Sequence, residues 1–486
     1  MKLAFASAFI TYFALLFMIG AYIKRKNKVA SLDLVLGGRS LNFWVTSLSA
    51  HASDMSAWLF LAFPASFYMG GLPQIWFALS LVVGMYINWI YIAPRLRVQT
   101  EALSASTLST FFERKFKDDS GYLRLVTGLM ALLFLTYYLA AGMIAIGALF
   151  ESIFELNYII GLLVSVGVVV GYTFIGGFVS VAWVDLFQAL FLLVAIVLVP
   201  ALSYNLVGGF EAIQLAAKKA QVSLNVFDIA SWKDIVLPFF GWLLGYFGMP
   251  HIITKFMAIK NPNEFKKCMY VGISWQVITL TAAVFVGLVG IAFFKNGIEN
   301  SELIFVELTK HLFHPLMAGF VLCGIVAATI STMDSQILTS ASFASEDVLP
   351  RFVKGFSKTT LFRFSVLAIA ACAFWVALSR SATIMDTVYY AWAGLGSSFA
   401  PLVIASLYCT KVTKQGALWG VLTGGIASAV WPSVNLYLIQ ADIIGAIPAM
   451  IPGFGLNCFA MYLGSKLESK RESKFATQCE LEKTIK

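Results

Sequence analysis

The sequence predicts an all-α integral membrane protein that crosses the bilayer about thirteen times. Three observations carry that prediction. Of 486 residues, 59% are hydrophobic and only 12% charged, with a mean hydropathy of +0.83; soluble chains carry about a quarter charged residues. Apolar stretches of about 20 residues, the length needed to span the hydrocarbon core, recur along the whole chain. The basic residues fall almost entirely into alternate loops. Together these exclude a soluble enzyme, a nucleic-acid-binding module and a disordered chain.

The expected spans are 3–23, 41–70, 72–93, 125–153, 157–177, 181–207, 234–257, 269–294, 315–345, 361–379, 385–409, 415–438 and 441–464. The first is too long for a signal-peptide core and has no small-residue cleavage site before its basic flank, so it reads as a retained helix. Lysine and arginine orient the set. Twenty-seven of the 34 lie in loops of one face, from Lys24, Arg25, Lys26, Lys28 and Arg39 through Arg97, Lys255 and Lys260 to the C-terminal tail. The other seven are Lys2, Lys218, Lys219, Lys233, Lys295, Lys310 and Arg380. The N-terminus is therefore expected outside and the C-terminus in the cytoplasm. The net charge of +9 is an orientation signal and implies no nucleic-acid partner. The longest loops, about 94–124 and 208–233, are too short to fold alone, and the polar tail from Ser465 is expected to be mobile. The six cysteines, Cys268, Cys323, Cys372, Cys409, Cys458 and Cys479, show no zinc spacing and read as reduced packing residues.

Function is expected where polar residues enter the membrane at an energetic cost. Span 2 is interrupted by residues 48–57 (LSAHASDMSA), whose polar side chains cover every face of the helix. Such a stretch suits unwound backbone lining a cavity, where freed carbonyls ligate a cation. Span 9 contains residues 327–336 (AATISTMDSQ) followed by Thr339, Ser340, Ser342 and Ser345. Hydroxyls, carbonyls and one carboxylate are hard ligands suited to Na⁺; hydroxyls bonded back to their own helix in a tightly packed seam explain the same pattern. Asp185, in residues 183–188 (WVDLFQ) at the start of span 6, is either a functional acid or a complement to a helix N-terminus. In span 7, residues 241–251 (GWLLGYFGMPH) place Trp242 and Tyr246 on one face. Glycines leave the backbone bare there and Pro250 loosens the helix. The result is an aromatic wall for a compact, partly apolar solute.

These pieces resemble the sodium/solute symporter family. The resemblance rests on residues 36–40 (LGGRS), 47–58 (SLSAHASDMSAW), 87–89 (INW), 95–97 (RLR), Tyr138, 140–142 (AAG), 150–152 (FES), 183–188, 245–251 and 331–336 (STMDSQ). It implies a LeuT-like fold of two inverted five-helix repeats, in 41–207 (spans 2–6) and 208–409 (an outer loop and spans 7–11). Residues 1–40 precede them, 410–464 add spans 12 and 13, and 465–486 form the tail.

By position, the resemblance implies a Na⁺ site from the carbonyls of Ala52, Met55 and Ala328 and the hydroxyls of Ser331 and Thr332. Asp54 and Asp185 correspond to acids tied to ion coupling. A second Na⁺ site of some members falls here on Asp185, Ser331, Asp334 and Ser335. Asp334 stands where many members have a hydroxyl, and either tightens that site or carries a proton. The solute pocket falls on Ser56, Ala57, Tyr138, Trp242, Tyr246 and Pro250. Ala57 stands where the proline carriers have glycine. The expected activity is Na⁺-coupled symport of a zwitterionic solute, L-proline foremost, by alternating access. Another amino acid, a carboxylate or an osmolyte, and H⁺ as driving ion, are the alternatives. Na⁺ is the co-transported ion, lipid is the surroundings, and no obligate protein partner or catalytic residue is expected. The expected location is a plasma membrane, as in the bacterial inner membrane.

Overall fold

The computed structural model describes residues 2–26, 35–229, 231–379, 383–440 and 446–484, with side chains through Lys470 except at 175 and 176. Lys28, Arg380, the side chain of Cys479 and the first five residues of the expected last span lie outside the described residues. Within them the chain is helical. We number the helices α1 (Lys2–Lys26), α2 (Phe43–Asp54), α3 (Ala62–Gly70), α4 (Leu72–Ala102), α5 (Tyr122–Phe154), α6 (Tyr158–Phe174), α7 (Gly177–Leu206), α8 (Lys233–Gly248) and α9 (Pro250–Met257). Then follow α10 (Pro262–Phe293), α11 (Pro315–Arg351), α12 (Lys358–Leu378), α13 (Ile384–Tyr408), α14 (Lys414–Gln440) and α15 (Met450–Thr484).

Among the described residues, nine helices are long and apolar enough to cross a membrane, and ten if α8 and α9, bent by 45°, are one span. The count falls short of thirteen for local reasons. Expected span 2 is divided between α2 and α3. Expected span 5 is α6, whose apolar part is short. The last is α15, which does not stop at the membrane edge but continues helical through Thr484, where the sequence reading expects a mobile tail. The outer faces carry exposed aromatics such as Trp375 (77% exposed) and Tyr437 (68%). A surface of that kind belongs against hydrocarbon, and with the apolar helices it makes the chain a multi-pass membrane protein.

Four breaks shape the interior. α2 ends at Met55 (φ −86°, ψ 81°), and the chain re-forms a helical turn over Ala57–Leu59 only after Ser56. α6 and α7 are divided at Gly177 (φ 62°, ψ 179°), a conformation open to glycine alone. α8 tightens to a 3₁₀ turn over Leu244–Gly248, Met249 is extended, and Pro250 opens α9 at its first turn, where a missing N–H costs nothing. α4 widens to a π turn over Asn88–Ile92, a form common at functional sites.

The start of α2 and the end of α9 are tied together. Leu41 pairs with Ile259 through Leu41 N–H to Ala258 O (3.2 Å) and Lys260 N–H to Leu41 O (2.8 Å). Arg39 donates to Met257 O (2.5 Å) and Ala105 O (2.9 Å), and Arg97 to Ile259 O (2.7 Å). These arginines, read from sequence as orientation signals, also satisfy the last carbonyls of α9. The cysteine reading holds for only part of the set: Cys268 and Cys323 are buried, while Cys372, Cys409 and Cys458 are exposed.

The glycines of α8 do not leave backbone open to a solute; they let α13 approach. A Cβ on Gly245 would lie 2.1 Å from Trp392 Nε1, and one on Gly248 2.6 Å from Ala400 N. Gly245→Ala should therefore cost about 1–3 kcal/mol by overpacking, read as a lower thermal unfolding temperature of the purified protein. Gly167→Ala, with nothing within 4 Å of the new methyl, should leave it unchanged. Equal behaviour of the two variants would remove the packing explanation.

Candidate functional site

The unwound end of α2 is where the expected cation ligands meet. Ser331 Oγ donates at 3.0 Å toward both Ala52 O and Ala328 O, and Thr332 Oγ1 lies 3.2 Å and 3.1 Å from the same two carbonyls. Four of the five expected oxygens thus form one tight cluster between α2 and α11, buried on all sides. The fifth, Met55, is the residue at which α2 stops, with its N–H bonded to His51 O. A set of carbonyls and hydroxyls with no carboxylate holds a hard monovalent cation without trapping it. Ser331 and Thr332 bond back to their own helix through Ala328 O, as one of the two sequence readings has it, and each also reaches across to Ala52 O.

Asp54 lies beside this cluster but faces away from it. Its Oδ2 accepts from Tyr246 Oη at 2.7 Å, and Gln276 Nε2 donates to the same phenol at 3.3 Å. The carboxylate that ends α2 is therefore bonded to the aromatic that ends α8. Other carbonyls freed by the breaks find side-chain donors: Trp58 Nε1 on Asp54 O (3.1 Å), Asn88 Nδ2 on Tyr246 O (2.9 Å) and Trp392 Nε1 on Trp242 O (3.0 Å). Trp89 Nε1 donates to His51 Nε2 at 3.1 Å, closing the network from α4.

The six expected solute residues divide between two levels. Trp242 lines a cavity of about 1480 Å³ together with Tyr137, Ile144, Tyr389, Tyr390 and Trp431, with Lys233, Asp234 and Asp386 toward its opening. Ser56, Ala57, Tyr138, Tyr246 and Pro250 are buried and do not line it. Trp242 packs on Phe77 (4.7 Å between ring centres), Tyr389 (5.0 Å) and Trp392 (5.7 Å). Tyr246 meets Trp392 edge-on at 4.9 Å, and Tyr138 meets His251 at 5.4 Å. Trp242 and Tyr246 thus both pack on Trp392, with Trp242 lining the cavity and Tyr246 bonded to Asp54.

Asp185 forms a separate buried cluster. Its Oδ2 accepts from Ser49 Oγ (2.7 Å), Lys255 Nζ (2.9 Å) and Ser335 Oγ (3.4 Å). Ser53 and Ser335 share a 2.8 Å hydrogen bond. Asp334 is fully buried with no hydrogen-bond partner on either oxygen. Two sequence readings change here. Asp185 is an ion-pair member, not a dipole complement. Lys255, counted as a cytoplasmic loop charge, is buried inside the protein. Its sequence carries a usable signal: Lys255 stands alone in the apolar run 251–259 (HIITKFMAI), unlike the clustered charges of the true loops. Gln276 carries no such signal, since a single amide in an apolar helix has no spacing to give it away, and Asn88 enters the sequence reading only within the motif 87–89.

Comparison with known proteins follows this geometry. Residues 34–424 match the family model of the Sodium:solute symporter family. The chain is 39% identical over 480 residues to Sodium/proline symporter 2 of Staphylococcus saprophyticus, covering 96% of this chain and 93% of that one. It is 38% identical over 471 residues to Sodium/proline symporter of Staphylococcus aureus, covering 94% and 92%. Among solved structures, a substrate-bound, outward-open Na⁺-coupled sialic acid symporter superposes with a TM-score of 0.79 at 16% identity, over 96% of this chain and 98% of that one. MHP1, a nucleobase-cation-symport-1 family transporter, gives 0.56 at 14% identity over 89% and 95%. MhsT in complex with L-phenylalanine gives 0.55 at 13% identity over 86% and 97%. These likenesses establish the LeuT-type fold. The chain belongs to the sodium:solute symporter family and is a transporter, not an enzyme.

Proposed function

We propose that this protein couples the inward movement of Na⁺ to the uptake of L-proline by alternating access. The observation that carries the reading is the oxygen cluster of Ala52, Ala328, Ser331 and Thr332 at the point where α2 unwinds, in a chain 39% identical to a protein named Sodium/proline symporter 2. Na⁺ takes those four oxygens together with the carbonyl of Met55. A cation there fixes the end of α2, and with it Asp54. Asp54 in turn sets Tyr246 through their hydrogen bond. Ion binding thus orders the aromatic side of the solute site with no ligand shared between ion and solute.

The solute enters through the cavity, meets Trp242, and passes to Ser56, Ala57, Tyr138, Tyr246 and Pro250. A pyrrolidine ring packs on the aromatics, its ammonium bonds carbonyls or a π face, and its carboxylate faces a half-helix N-terminus. The methyl of Ala57, where the proline carriers have glycine, narrows the pocket and is the feature that tells against proline within it. The repeats that rock are 41–207 and 208–409. The N-terminus faces out, the C-terminus faces the cytoplasm, and the membrane is a bacterial inner membrane. The driving force suffices: one charge through 100 mV contributes about 2.3 kcal/mol and a tenfold Na⁺ gradient about 1.4 kcal/mol. At one ion per solute, about 3.7 kcal/mol sustains roughly a 500-fold gradient of a neutral zwitterion.

The test is labelled proline uptake into proteoliposomes. An inward Na⁺ gradient should drive accumulation and a matched K⁺ gradient should not; equal uptake under both would overturn Na⁺ coupling. Failure to take up proline, with Na⁺-driven uptake of another small zwitterion, would redirect the substrate assignment to Ala57. Ser331→Ala or Thr332→Ala removes one oxygen worth about 1 kcal/mol, so the Na⁺ concentration for half-maximal uptake should rise about fivefold. An unchanged Na⁺ dependence would place the ion elsewhere. Trp242→Ala removes ring contacts worth about 0.5–1.5 kcal/mol. It should raise the solute concentration for half-maximal uptake by up to about tenfold and leave the Na⁺ dependence in place. Parallel losses in both would instead mean general destabilisation.

A further inference from the structure

Lys255 is the only lysine among the described residues that is buried, at 1% exposure. It sits on α9, behind the break at Met249 and just inside the clamp that Arg39, Leu41 and Arg97 close around the end of that helix. Its ammonium donates to Asp185 Oδ2 at 2.9 Å and lies 5.1 Å from the ring centre of Phe178, the residue after the Gly177 break. Ser49 of α2 and Ser335 of α11 converge on the same carboxylate oxygen. Four helices, α2, α7, α9 and α11, therefore meet on one ion pair.

The chemistry of this cluster is that of a cation site whose cation belongs to the chain. A carboxylate and two serine hydroxyls are hard oxygen donors, and an ammonium, like Na⁺, is a compact, strongly hydrated single charge. Further acceptors point the same way: Asp185 Oδ1 and both oxygens of Asp334 have no hydrogen-bond partner. A buried carboxylate without a counter-charge is strongly destabilising, so Asp185 needs a cation at every stage of the cycle. A tethered ammonium meets that need but cannot leave with the solute.

We propose that Lys255 takes the place of a second Na⁺ at Asp185 and thereby fixes the coupling at one Na⁺ per solute. The proposal rests on the reading that Na⁺ binds at Ala52, Met55, Ala328, Ser331 and Thr332. With the ammonium removed, Asp185, Ser335 and Asp334 become a Na⁺ site. Lys255 is a positioning and stoichiometry-setting residue and touches no solute.

The test counts radioactive Na⁺ bound at saturation to the purified protein. Wild type and Lys255→Arg should bind one ion, Lys255→Met two, and the neutral pair Lys255→Met with Asp185→Asn one. In proteoliposomes, the charge carried per solute, read from the reversal potential, should double in Lys255→Met. A Lys255→Met protein that still binds one ion overturns the proposal. So does one that no Na⁺ concentration restores to a folded state, since Na⁺ then cannot replace the ammonium. A wild type that binds two ions also overturns it. A wild type that binds none instead defeats the Na⁺-site reading on which it depends.

Discussion

Unwinding α2 at Met55 is the constraint on which the rest of the structure depends. A helix broken inside hydrocarbon leaves carbonyls with no N–H to accept from, and each such group costs several kcal/mol if left alone. The protein answers with side chains: Ser331 and Thr332 of α11 reach Ala52 O, and Trp58, just past the break, reaches Asp54 O beside the Ser56 N–H. The second break, at the end of α8, is answered the same way by Asn88 and Trp392. Each break is thus stabilised only in the assembled bundle, which makes its carbonyls available to a ligand without exposing them to lipid.

The same logic explains why the functional groups sit where they do. The oxygens over the α2 break are neutral, so the cation they suit is one that must also be released. The carboxylate of Asp54, at the end of α2, accepts from Tyr246 and links that end to α8. The full negative charge of Asp185 has an ammonium from α9. Asp185 is thus paired within the protein, whereas Asp334 is buried with no partner on either oxygen.

Close approach of helices is the second requirement. Gly245 and Gly248 admit α13, Gly272 admits the His51 ring, and Gly177 lets α7 begin at an angle no other residue adopts. The clamp of Arg39 and Arg97 on carbonyls at and just past the end of α9 ties that helix to α2 and α4, while a cavity of about 1480 Å³ reaches Trp242 on α8.

The sequence by itself determined the class and most of the helices, and it marked the polar runs that enter them. Hydropathy sets helices because lipid permits little else, and the polar runs around Asp54 and Asp334 stand out against an apolar background whatever their partners. Hydroxyl and carboxylate chemistry told which ligands are hard. What only the tertiary structure decided was partnership. That Tyr246 bonds Asp54, that the glycines of α8 serve packing, and that Lys255 is no loop charge all depend on helices far apart in the chain. Lys255 and Asp185 are 70 positions apart. Local periodicity reports which face of a helix is apolar, but it carries no term for which distant side chain will meet it, and a buried charge is read correctly only when its counter-charge is seen.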